Sequence, residues 1–232
     1  MYKRQTQRRT ASKNSVKSSF REYHIQLPKN CWSGPGIKEI RKRAQQLPAT
    51  IALCVTEELV LIEHYDRVIA NLDQRMADLA WGDKQIELLM SVPGINYHSA
   101  FVIMAEIGHI ERFGSAKQLT SYAGLVPKLS QSGQSGPRLG GISKKGRSRL
   151  RWIAVECGHI TARFAPKFQR LKWRIQKRSG KTNVAIVAVA RKLLELCYYI
   201  LKSGEPYSES IPEKHEAKLR NLGCQAKKGK AA

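Results

Sequence analysis

The residues best equipped for chemistry lie between Gly124 and Arg151, where glycines and serines alternate with cations. From Lys128 to Arg151 there are seven basic side chains and no acid: Lys128, Arg138, Lys144, Lys145, Arg147, Arg149 and Arg151. Glycines such as Gly133 and Gly146 let a phosphate approach the backbone closely, and the cations favour its charge. Ser130, Ser132 and Ser135 put small hydroxyls in that field. A serine attacks a phosphodiester only if its proton is removed and the charge developing on the phosphoryl oxygens is stabilised. Cations meet the second need, and no base is evident in the run. Two readings stand at this level: a nucleophilic loop, or a flexible basic loop that grips a nucleic-acid backbone through Lys144, Lys145 and Arg147, with the serines as spacers.

A second constellation is the turn Pro93, Gly94, Ile95 between the apolar stretches Leu88–Val92 and Ala100–Ile103. It reads as a helix-hairpin-helix-like unit. A Pro-Gly turn at a helix start leaves backbone N–H groups and the positive end of the helix dipole facing outward, which suits a DNA phosphate. An αα-corner that only packs has the same sequence signature. A third basic region, Arg163 to Lys181, reads as a surface for backbone contact.

Charge sets the context for all three. Forty-one Lys and Arg against eighteen Asp and Glu give a formal net charge of +23. Such a chain binds polyanions through counterion release, with affinity that falls steeply as salt rises. It has no apolar run long enough to span a bilayer, so a membrane partner is not expected. Cys31, Cys54, Cys157, Cys197 and Cys224 are widely spaced, form no CxxC pair, and fit a reducing, cytoplasmic, nucleoid-associated setting.

These segments must be held by helices. Apolar residues at Val55, Leu59, Ile62, Tyr65, Ile69, Leu72, Met76 and Leu79 fall in steps of three and four, which predicts one long helix from Ala49, a coiled-coil candidate for self-association. Short helical segments are expected over Ile37–Leu47, over Ile86–Ser121 and over Ser148–Ile160, with a strongly apolar helix over Asn183–Lys202. The predicted architecture is mainly α. It has a basic arm, solvated or nucleic-acid-binding, and linker (1–48), the long helix (49–84), a compact DNA-binding domain (85–206) that carries the hairpin unit and the Gly/Ser loop, and a disordered basic tail (207–232).

Motifs at fixed order sharpen this. The PGI turn, AEIG at Ala105–Gly108, SYAGLVP at Ser121–Pro127, QSG at Gln131–Gly133, ISKKG at Ile142–Gly146 and LRW at Leu150–Trp152 resemble the C-terminal domain of insertion-sequence transposases of the one-ten/one-sixteen/nine-oh-two type, relatives of the Piv DNA invertases. The resemblance implies DNA transposition in which a serine of this domain becomes covalently linked to DNA; the serine of the QSG segment is Ser132. Phosphate would be held by Pro93, Gly94, Ile95, Lys128, Gly133, Arg138, Lys144, Lys145, Gly146, Arg147, Arg149 and Arg151. The family also implies a RuvC-like acidic domain that holds magnesium and, in some members, a structured guide RNA. No such acidic pattern is legible here, since Asp66, Asp73, Asp78 and Asp83 read as a solvated helix face. The expectation is therefore a truncated copy that binds no metal itself. The alternative is a non-catalytic DNA- or RNA-binding protein.

Overall fold

The computed structural model describes residues 2–130 and 138–228. The fold is mainly α. Its elements are α1 (Tyr2–Glu22), α2 (Gly34–Ala44), α3 (Ala49–Ala80), α4 (Lys84–Met90), α5 (Tyr97–Ile107), a 3-10 turn (Ile110–Arg112), α6 (Ala116–Tyr122), β1 (Pro127–Ser130), β2 (Arg138–Ile142), α7 (Ser148–Phe164), α8 (Pro166–Ser179), α9 (Thr182–Ser203) and α10 (Pro212–Lys228). They form two compact units, Met1–Arg75 and Met76–Ala232.

In the first unit the expected solvated arm is a helix. α1 buries Ser12, Val16 and Phe20, one residue per turn, and Val16 and Phe20 join a core with Cys31, Ile40, Ala44, Leu47, Val55, Leu59 and Ile62. Charge complements that narrow apolar stripe: Arg9 lies 2.6 Å from Asp66 on α3, and Arg41 of α2 lies 2.8 Å from Glu63. The acids of α3 thus receive the cations of the arm instead of facing only solvent. Ser33 caps α2 by accepting from Gly36 N at 3.2 Å. On α3 the residues Leu53, Val60 and Leu61 remain exposed.

The second unit is built on α9, whose Ala185, Ile186, Val189, Ala190, Leu193, Leu194, Cys197 and Tyr198 are buried among residues of α4 to α7. Its apolar residues recur at helical spacing, and Gly204 closes it in the left-handed conformation at φ 72°. Three expectations need correction here. Past Arg75 the buried positions are Ala77 and Ala80, whereas Leu79, expected on the inner stripe, is 54% exposed. The expected tail without structure forms α10 over Pro212–Lys228 and buries Leu222 and Ala226. The glycine-serine loop is in part an antiparallel hairpin, with Leu129 opposite Leu139 and Ser130 opposite Arg138. Among the described residues, no helix is long and apolar enough to cross a membrane.

Candidate nucleic-acid interface

The foot of the β1–β2 hairpin is tied to the core by both strands. Leaving α6, the chain turns through Gly124 at φ +68°, where a Cβ would come within 2.5 Å of Lys145 O and 2.7 Å of Arg151 Nη1. Only glycine allows that approach. On the return, Ser143 N donates to Val126 O (2.8 Å), Lys144 N to Gly124 O (3.2 Å) and Arg147 N to Tyr122 O (2.8 Å). The SYAGLVP and ISKKG segments therefore form one clamp at the base of the hairpin. Ser132 and Gly133 lie outside the described residues, between the ends of β1 and β2.

The predicted phosphate ligands separate into two sets. Arg151 is half-buried, and its Nη1 donates to Ala123 O at 2.8 Å, so it braces the clamp. Arg147 Nε donates to Tyr122 Oη at 2.8 Å while its guanidinium lies 4.0 Å from Glu106, a distance that Arg149 shares. That bond, with a further one from Arg112, holds the Tyr122 phenol below its usual pKa. Arg112 also stacks on the Tyr122 ring at 4.9 Å. Lys128, Lys144 and Lys145 are exposed and make no ion pair among the described residues. Arg149 is 69% exposed. Gly146, at φ +122°, is exposed beside them, and Arg138 opens β2.

Lys144, Lys145, Arg147 and Arg149 lie at or just before the start of α7 in the chain. Arg147 is its N-cap residue and makes no side-chain capping bond, and no acid stands in the first turn. An uncapped helix start presents N–H donors and the positive dipole end. Chemically, the foot can bind a phosphate diester and stabilise added negative charge on it.

The PGI turn is arranged differently. Gly94 has φ +94°, and a Cβ there would meet Thr161 Oγ1 at 2.7 Å and Thr161 N at 2.8 Å. Thr161, fully buried on α7, shares its hydroxyl hydrogen between Pro93 O and Cys157 O, each 2.8 Å away. Ile95 is fully buried, so its side chain is no exposed phosphate contact. At the start of α5, Ser99 N donates to Asn96 Oδ1 and Asn96 N to Ser99 Oγ, both at 2.9 Å. This capping box takes up two N–H donors at the start of α5. Behind the turn, Lys218 Nζ on α10 donates to Met90 O (2.7 Å) and Val92 O (2.8 Å). An open cavity of about 390 Å³ borders the turn, lined by Pro93, Ile95, Ile160, Phe164 and Ile211.

Sequence reasoning missed Tyr122 as the acceptor of Arg147, Glu106 as the acid beside Arg147 and Arg149, and Arg112 on the Tyr122 ring. The signal was present in the SYAGLVP and AEIG segments, which contribute Tyr122 and Glu106 to the same spot. No three His, Cys, Asp or Glu side chains converge among the described residues. The magnesium implied by the resemblance finds no holding set among them.

Comparison with known proteins agrees with the motif reading. Residues 86–172 match the model of the Transposase IS116/IS110/IS902 family. The pilin gene-inverting protein of Moraxella bovis is 30% identical over 158 residues, covering 66% of this chain and 49% of that protein. The transposase for insertion sequence element IS1111A of Coxiella burnetii is 26% identical over 212 residues, 86% of this chain and 56% of its own length. A probable family 20 transposase of Pseudomonas aeruginosa is 29% identical over 166 residues, 69% and 48% respectively. The chain spans about half the length of these relatives. Over residues 86–172 the chain is similar to transposases of the IS116/IS110/IS902 family.

Proposed function

We propose that this chain binds DNA through the hairpin foot and supplies the serine of an insertion-element recombination reaction. The observation that carries the reading is the set of exposed cations, Lys128, Lys144, Lys145 and Arg149, at the uncapped start of α7 and at the base of the hairpin. Ser132 belongs to the segment joining the two strands. In the proposed step its Oγ attacks the phosphorus of a phosphodiester. One P–O bond to the strand breaks, the hydroxyl proton ends on the released strand's oxygen, and the other strand end is held as a serine phosphodiester. Attack by the hydroxyl of a new strand reverses the step and joins that strand. The cations stabilise charge on the phosphoryl oxygens in both directions.

Self-association through the exposed Leu53, Val60 and Leu61 of α3 belongs to the same reading, as does a guide RNA held by the basic surface. The test is a strand-transfer assay in which a relative's acidic domain is added in trans. Ser132→Ala should abolish joined product and leave DNA binding intact; unchanged transfer would remove Ser132 from the mechanism.

A further inference from the structure

The second unit has another basic surface, an open groove of about 600 Å³ between α8 and α9. From α8 it is lined by Lys167, Arg170, Leu171 and Arg174, which recur at helical steps of three, one and three and so share a face. From α9 come Lys192, Leu196 and Tyr199. Phe168 and Tyr207 are buried at its base, whereas Tyr199 is 61% exposed. The one acid of the lining, Glu195, is occupied by Arg191 at 3.2 Å and Lys192 at 2.6 Å. Lys167, Arg170 and Arg174 make no ion pair among the described residues, and α8 contains no acid. The family match ends inside α8, so the α9 wall lies beyond it.

Two features together select the occupant. Cations along one wall attract a phosphate backbone of any kind. A large exposed aromatic among them gains a partner only from a base that is free to leave its own stack, because every base of an intact duplex is already stacked and paired. An acidic peptide would satisfy the cations and leave Tyr199 without a face to cover. We propose that the α8–α9 groove binds an unpaired polynucleotide strand, with phosphates on Lys167, Arg170 and Arg174 and a base stacked on Tyr199. The site is separate from the hairpin foot and does not depend on Ser132.

Anisotropy titrations of the full chain test this, with labelled oligothymidine, labelled oligouridine and a DNA duplex of equal length at matched salt. Tyr199→Ala should weaken single-strand binding about tenfold, leave duplex binding unchanged, and be rescued by Tyr199→Phe. Because Tyr199 is exposed, the variant should keep its helical circular dichroism. Arg170→Gln with Arg174→Gln should lower the salt slope for single strands by about 1.4. A larger loss on thymidine assigns the groove to a DNA strand, and a larger loss on uridine to RNA. Equal losses on single strand and duplex, or none on either, would overturn the proposal, as would displacement of the strand by polyglutamate with wild-type and Tyr199→Ala protein alike. The titrations read binding alone and involve no strand transfer, so this proposal and the recombination reading fail separately.

Discussion

The PGI turn and the foot of the β1–β2 hairpin both join glycine to a helix start, and the two are built to opposite ends. At the turn, Gly94 admits the backbone of α7, Asn96 and Ser99 consume the donors of α5, and Lys218 occupies the carbonyls behind. At the foot, Gly124 admits the returning strand, while the start of α7 is left without a capping side chain among exposed lysines. A glycine in a basic protein therefore marks close approach, and only its neighbours decide whether the approaching group is the protein's own backbone or a ligand's.

Substitutions at the two places should separate these roles. The largest effect is expected at Gly94. With φ positive and the space already taken by Thr161, Gly94→Val should cost about 3 kcal/mol of stability. Thermal unfolding measures it, and an unchanged midpoint would show that the turn is not packed as described. Next, Lys144→Gln with Lys145→Gln should leave the unfolding midpoint alone, weaken duplex binding roughly tenfold, and reduce the salt slope by about 2. An unaltered slope would place the phosphates elsewhere. Tyr122→Phe removes the acceptor of Arg147 Nε and should cost about 1 kcal/mol. Its DNA affinity should not fall if Arg147 serves the clamp; a fall larger than that of the lysine pair would make Arg147 a direct ligand positioned by Tyr122.

The smallest effect concerns pH. Burial lowers the pKa of Lys218 from 10.5 to about 8. Between those values the unfolded chain keeps the proton that the folded chain has lost, so the unfolded state binds more protons and stability rises with pH. Below about pH 8 both states are charged and the burial penalty is felt in full. The partial exposure of this side chain keeps the expected change under about 1 kcal/mol. Unfolding curves at pH 7.5 and 10 should differ in that direction for the native chain, by comparison with Lys218→Met; identical differences would remove Lys218 as the source.

Legibility in the sequence followed the source of each element's stability. α9 and α7 were readable because their own apolar residues recur at helical spacing, with Gly204 as a stop. α1 and α10 were not. Val16 and Phe20 are the only large apolar residues that α1 buries, and its remaining support comes from acids such as Asp66, 57 residues away in the chain. The hairpin was hidden by composition, since backbone pairing between residues such as Leu129 and Leu139 leaves no mark on Gly and Ser content. Among the site residues, Lys144 and Lys145 are exposed and Arg151 is half-buried, and nothing local in the sequence distinguishes the three. The partner of Arg151, Ala123 O, is 28 residues away. Of the α8–α9 groove only the cations were legible, within the basic region Arg163 to Lys181, because Tyr199 stands on a different helix.

The contrast between closed turn and open foot is tested most directly by lysine acetylation footprinting, read by mass spectrometry with and without duplex DNA. Lys214, exposed beside the cavity at the PGI turn, reports on one region, and Lys128, Lys144 and Lys145 on the other. DNA should protect the three lysines of the hairpin foot and leave Lys214 as reactive as before. Protection of Lys214 with no change at Lys144 and Lys145 would contradict the account.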